Sequence, residues 1–170
     1  MLYDQERQLT GKVLTKGGKE VWVRVEGFND GRDYTVTVVE IEAMKQEVTA
    51  GDMLDALNKT GFIALYLNFD TGKSTITPES LPVVEQIVKL LKDNPGLSVS
   101  VQGHTDNIGT PASNKTLSER RAWSVMTAVV NGGVAAGRLG ALGWGQEKPL
   151  ADNGSEAGRA KNRRVEIVKK

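Results

Sequence analysis

From residue 62 to residue 168 short strand-like runs alternate with helical stripes, and that alternation leaves few folds open. Phe62 to Phe69 reads as a first core strand. Thr77 is placed to cap a helix and Pro78 to take its first turn, where a missing N–H costs nothing. Leu81, Val84, Ile87, Val88 and Leu91 form that helix's apolar stripe, and Asp93-Asn94-Pro95-Gly96 ends it. A strand over Leu97 to Gln102 follows, then a polar loop from Gly103, then a long helix from near Ser113 to about Asn131. Leu139 to Trp144 is the next strand, Gly145 to Ser155 a turn-rich loop, Glu156 to Asn162 a short helix and Arg163 to Val168 the last strand. The order β-α-β-α-β-β predicts an α+β fold, a two-layer sandwich with helices on one face of a mixed sheet.

The preceding residues read differently. Val21 to Val25 and Tyr34 to Ile41 are rich in β-branched residues, and Asn29-Asp30-Gly31-Arg32 between them is a turn signal, so they predict a hairpin. Lys12 to Thr15, before the turn Lys16-Gly17-Gly18-Lys19, adds a third strand, with residues 1–10 polar and loose at the start. A sheet this small is marginal alone, so residues 12–47 are expected to meet a protein partner, a second copy or the main domain, or to be the remnant of a larger one. Thr49-Ala50-Gly51-Asp52 is a capping box for a short helix over Met53 to Asn58, closed by Gly61. The expected organisation is a β-rich segment at 1–48, a short helix and linker at 49–60, and a main domain at 61–170.

Charge and composition remove several functions. Lys plus Arg is 22 against 21 for Asp plus Glu, so no global field draws the chain to nucleic acid. The basic tail Arg159, Lys161, Arg163, Arg164, Lys169 and Lys170 alternates with Val165 and Ile167, which reads as an edge-like strand with a solvated face. With no cysteine, one histidine and no carboxylate cluster, neither a metal site nor a cofactor is expected. No apolar run reaches the ~18 residues of a membrane-spanning helix. Gly72-Lys73-Ser74 has the ending of a phosphate-binding loop, but position 67 is Leu where that loop needs Gly, and Pro78 delays the helix.

The stretch Gly103-His104-Thr105-Asp106-Asn107-Ile108-Gly109 and the helix after it carry the candidate chemistry. Strand-to-helix loops in mixed α/β sheets offer free backbone N–H groups beside a helix N-terminus. At 100° per residue, Asn114, Leu117, Ser118 and Arg121 share a side with Val125, Ala128 and Val129. An arginine in an apolar stripe needs a partner, and Asp106 is the nearest candidate in sequence. That pairing is open between an internal salt bridge and a ligand site. Trp123 projects to the outer side of the helix, either folding back over Val130 or Met126 or meeting a partner.

These motifs resemble a known family. Gly103 to Gly109, Asn114 to Ala122 and Gly158 to Glu166, with Asn68 to Ser74 as a fourth piece, are similar in order and residue type to the OmpA-like C-terminal domain, over roughly residues 61–168. The resemblance implies a two-layer fold that binds peptidoglycan non-covalently in the Gram-negative envelope. It implies that Asp106 and Arg121 are the ligand-binding pair, that Asn114, Leu117 and Ser118 shape the pocket, and that Arg163 lies near it. The ligand it implies is the diaminopimelate of the stem peptide, whose amino-acid head presents an ammonium and a carboxylate on one carbon. Asp106 suits the ammonium and Arg121 the carboxylate, with Thr71, Gly72, Thr105 and Asn107 around them for backbone donors. The resemblance also implies a periplasmic, outer-membrane-associated protein. No export signal opens the sequence, so the chain is expected to be a mature or trimmed form with Met1 supplied by expression.

Two other functions remain to be weighed. A Ser118-His104-Asp106 hydrolase needs the base to contact both partners, and a lone histidine at a strand end is more often a packing residue, so no enzyme is expected. The second alternative keeps the fold but uses it as a protein-interaction or structural module.

Overall fold

The computed structural model describes residues 7–14, 20–28, 32–41, 48–69 and 72–170. It divides into two compact units, Met1–Gln46 and Glu47–Lys170.

In the first unit β1 (Arg7–Leu14), β2 (Glu20–Phe28) and β3 (Asp33–Ile41) form an antiparallel sheet in chain order. Val25 faces Val36 and Val23 faces Val38, the β-branched cross-strand pairs that hold such sheets. β1 starts at Arg7, ahead of the expected Lys12. Residues 7–10, expected to be loose, belong to β1, while residues 1–6, 15–19, 29–31 and 42–47, with most of both expected turns, lie outside the described residues.

The second unit opens on α1 (Ala50–Thr60). Its capping box is as read: Thr49 Oγ1 accepts from Asp52 N at 3.2 Å, and Asp52 Oδ2 accepts from Thr49 N at 3.0 Å. Gly61, at φ +80°, closes the helix by donating to the Leu57 carbonyl. The span 49–60, read as helix and linker, is a core element, because Ala50, Met53 and Leu57 are buried with the sheet and the other helices.

β4 (Phe62–Leu65), β5 (Val99–His104), β6 (Leu139–Gly145) and β7 (Val165–Lys169) form a mixed sheet in the order β4-β7-β5-β6. β7 runs antiparallel to both β4 and β5, and β5 parallel to β6. β7 is therefore an inner strand and not the edge its basic alternation implied. Val165 and Ile167 bury toward the helices, and the charge between them, Glu166, is held by neighbours. β4 is shorter than the predicted first strand: pairing stops at Leu65, and an isolated bridge joins Phe69 to Ile76.

α2 (Leu81–Asp93) packs Val84, Ile87, Leu90 and Leu91 into the core. A 3-10 turn, Pro78–Ser80, precedes it, and the Thr77 side chain makes no capping bond. That turn rotates Leu81 off the expected stripe, leaving it 46% exposed. Arg138 fastens the α2–β5 turn, donating to the carbonyls of Leu91 at 2.8 Å, Asn94 at 2.6 Å and Leu97 at 2.6 Å.

α3 (Pro111–Asn131) lies directly on backbone. A Cβ at Gly103 would stand 2.2 Å from the Ser118 carbonyl oxygen, and one at Gly143 would stand 2.3 Å from Glu119 N. Only glycine lets this helix sit so low on β5 and β6. That seating sets the height of Asn114, Ser118 and Arg121 over the strand ends.

Gly103→Ala is expected to lose about 2–3 kcal/mol of stability by overpacking against α3. Gly96→Ala, where a Cβ meets nothing within 4 Å, should stay within about 0.5 kcal/mol of the parent. Urea unfolding followed by far-UV circular dichroism measures both.

Candidate functional site

The site loop leaves β5 through a register shift between Gly103 and His104. Two backbone bonds anchor it: His104 N to Arg164 O at 3.0 Å and Thr105 N to Gly145 O at 2.9 Å. Thr105 is buried and donates its hydroxyl to the Asp106 carbonyl at 2.9 Å. Thr110 caps α3 by accepting from Ser113 N, with Pro111 in the first turn.

Asp106 is only 8% exposed. Its Oδ1 accepts from Ile108 N at 3.1 Å and its Oδ2 from Arg163 Nη1 at 2.8 Å. The internal partner of Asp106 is thus Arg163, 57 positions away, and not Arg121. β7 lies beside β5, so the end of α4 (Glu156–Asn162) delivers Arg163 to the loop. Arg163 also donates Nη2 to Glu156 Oε1 at 2.7 Å. Its hydrogen bonds to Asp106 and then Glu156 raise its pKa further above the ordinary arginine value.

Arg121 is half-buried beside this pair. Its Nε donates to the Lys73 carbonyl at 3.1 Å, and its guanidinium carbon lies 4.8 Å from the centre of the Phe69 ring. Burial lowers its pKa, the Asp106 charge pulls it up, and the Arg163 charge pushes it down. Among the described residues its Nη nitrogens have no hydrogen-bond partner. A cleft of about 320 Å³ brings Phe69, Asn68, His104, Arg121, Arg163 and Arg164 together.

The other predicted residues divide. Asn114 is buried and donates Nδ2 to the Asp106 carbonyl at 3.2 Å and to Gln146 Oε1 at 2.8 Å, so it fixes the loop. Ser118 Oγ donates to Lys115 O and accepts from Gly145 N, both at 2.8 Å, tying α3 to β6. Leu117 is half-buried, and Asn107 is exposed. Gly72 is exposed at φ +68°, a left-handed position. Thr71 lies outside the described residues.

His104 is 1% exposed, its Nε2 lying 3.4 Å from Glu166 Oε2. The groups of the weighed hydrolase are spent elsewhere: Ser118 on Gly145 and Lys115, Asp106 on Ile108 and Arg163. Glu166 Oε1 also meets Arg164, with Nε at 2.8 Å and Nη2 at 2.7 Å on the same oxygen. Burial pushes the Glu166 carboxyl up, but His104 and Arg164 together hold it below its ordinary value of 4.5. Sequence reasoning missed this Arg164–Glu166–His104 group. The i, i+2 spacing of Arg164 and Glu166 on one strand face was the available signal.

The model of the OmpA family matches residues 68–163 of the chain. The chain belongs to the OmpA family. It is 45% identical over 104 residues to outer membrane porin F of Pseudomonas fluorescens, spanning 61% of this chain and 32% of that protein. It is 37% identical over 100 residues to peptidoglycan-binding protein ArfA of Mycobacterium bovis, spanning 59% of this chain and 31% of that protein. The chain thus spans about a third of the length of these curated relatives. The crystal structure of the peptidoglycan-associated lipoprotein of Burkholderia pseudomallei superposes with a TM-score of 0.57 at 32% identity, covering 63% of this chain and 89% of that one. No helix among the described residues is long and apolar enough to cross a membrane.

Glu166→Gln is expected to destabilise the domain by about 2–3 kcal/mol at pH 7, because Arg164 is left buried without its counter-charge. The lowered carboxyl makes a contribution that is full above pH 4.5 and is lost as pH falls through the folded value. Thermal melts between pH 3 and pH 7 should therefore converge for parent and variant on the acid side.

Proposed function

We propose that the second unit binds peptidoglycan non-covalently by gripping the amino-acid head of diaminopimelate in the stem peptide. The observation that carries this reading is Arg121: a half-buried guanidinium that lines the cleft, has no Nη hydrogen-bond partner among the described residues, and lies within the field of the nearly buried Asp106 carboxylate. The open fork suits a carboxylate, which it binds bidentately. Asp106 spends one lone pair on Ile108 and one on Arg163, and a carboxylate offers about four, so it can still accept from an ammonium. The similarity to peptidoglycan-binding protein ArfA and to a peptidoglycan-associated lipoprotein supports a cell-wall ligand. In the cell the module holds an envelope protein to the wall from the periplasmic side. Affinity per stem is modest, and retention comes from many stems at high local concentration.

A second reading, a protein-interaction module, is favoured by one observation in the first unit. Tyr34, Val36 and Val38 stand exposed in a row on β3. Soluble stem peptide should displace the protein from purified sacculi under the first reading and leave it bound or indifferent under the second.

In co-sedimentation with Gram-negative sacculi, Asp106→Ala and Arg121→Ala should each lose about 2–5 kcal/mol of binding while staying folded. Arg121→Lys should fall between them and the parent, since it keeps the charge and loses the fork. Parent and variants pelleting alike would sink the assignment.

A further inference from the structure

A second groove, of about 460 Å³, runs along α3 next to the cleft. Trp123 stands 57% exposed on it rather than folding back onto its own helix, and Leu81 and Ile76 extend the apolar floor. Thr75, Thr127 and Asn131 line the same groove. Their side chains have no hydrogen-bond partner among the described residues. One flat aromatic face, a short apolar floor and a rim of free hydroxyl and amide groups is the chemistry that receives a pyranose ring. The ring's C–H face covers the indole, and its hydroxyl and acetamido groups meet the rim.

The strip of chain between the two depressions is shared. Lys73 gives its carbonyl to Arg121 on the cleft side, while Ser74, Thr75 and Ile76 form a wall of the groove. Along α3 the groove runs from the level of Arg121 toward the helix C-terminus. Thr127 lies about 9 Å beyond Arg121 at 1.5 Å per residue. In a stem peptide the rest of the diaminopimelate side chain and two further residues separate the gripped head from the muramic acid, an extended reach of more than ~10 Å, so the joined ligand is long enough to span from the cleft to the groove.

We infer that the Trp123 groove is a glycan subsite, which seats the N-acetylated sugar of the same peptidoglycan whose stem occupies the Arg121 cleft. This rests on the cell-wall reading above and extends it from a peptide head to the peptide–sugar junction. It also gives the exposed Trp123 a ligand that a purely peptide-binding module leaves unused.

The test compares three probes: the free stem tripeptide, the peptide-free disaccharide of N-acetylglucosamine and N-acetylmuramic acid, and the two joined. Calorimetry gives the affinities, and the indole N–H signal of Trp123, assigned by its loss in Trp123→Ala, reports the groove. The joined probe should bind about tenfold more tightly than the tripeptide. Trp123→Ala should erase that gain and leave tripeptide affinity unchanged, while Trp123→Phe keeps part of it. The disaccharide alone should move the Trp123 signal. A Trp123→Ala protein that retains the tenfold gain, or a disaccharide that leaves the signal unmoved, overturns the inference. If the tripeptide fails to bind while the disaccharide still moves Trp123, the diaminopimelate reading falls and the glycan subsite stands.

Discussion

The site depends on β7 lying inside the sheet. A strand between β4 and β5 brings the residues at its start to the end of β5, and those residues are Arg163 and Arg164. Each finds an acid there. Arg163 bonds Asp106 on the site loop, and Arg164 bonds Glu166, which also faces His104. The β5 exit is thus clamped by charge-assisted bonds as well as by the His104–Arg164 and Thr105–Gly145 backbone bonds. A loop so held can present Asp106 in one geometry before any ligand arrives, which cuts the ordering cost of binding.

The same arrangement explains why glycine borders the helix. Gly103 and Gly143 let α3 rest on the backbone of β5 and β6, and Ser118 then reaches Gly145 N directly. The helix carries Asn114, Ser118 and Arg121 on a rigid element beside the loop that holds Asp106. Asn114 fixes the Asp106 carbonyl from the first turns, and Arg121 stands two turns further on. The packing that stabilises the domain and the spacing that makes the cleft are one contact surface.

Much of this was legible because period and punctuation agree. The capping box at Thr49, the stripe of α2 beyond Leu81 and the long helix after the polar loop are local signals that the structure follows, with α3 opening at Pro111 rather than near Ser113. What the sequence hid is strand order. Basic residues alternating with Val165 and Ile167 read as an edge because a central strand rarely carries so many charges. The charges are tolerated because Arg164 and Glu166 neutralise each other under the loop. The same blind spot misassigned the partner of Asp106: proximity along the chain favoured Arg121, while proximity across the sheet delivers Arg163. The outward projection of Trp123 was legible from the helical count, but the groove it lines was not, since one wall is the 74–76 segment, whose path no helical wheel describes.

Under the proposed reading, charge counting around the cleft favours one kind of ligand. Among the described residues, Arg121 and Arg163 feel one nearly buried carboxylate, Asp106, while Glu156 answers Arg163 from the solvent side. Arg163 is therefore satisfied twice, and among the described residues the residual positive charge sits on Arg121. Burial has already stripped that guanidinium of part of its water, and the neighbouring Arg163 adds repulsion. An incoming carboxylate relieves both costs at once, whereas a free cation would meet two arginines on its way to Asp106. A simple anion would satisfy Arg121 and leave the open lone pairs of Asp106 unused. A group that carries carboxylate and ammonium on one carbon answers both sides of this asymmetry. The direct Asp106–Arg163 bond keeps Arg121 available for it, where an Asp106–Arg121 pair would have closed the site on itself.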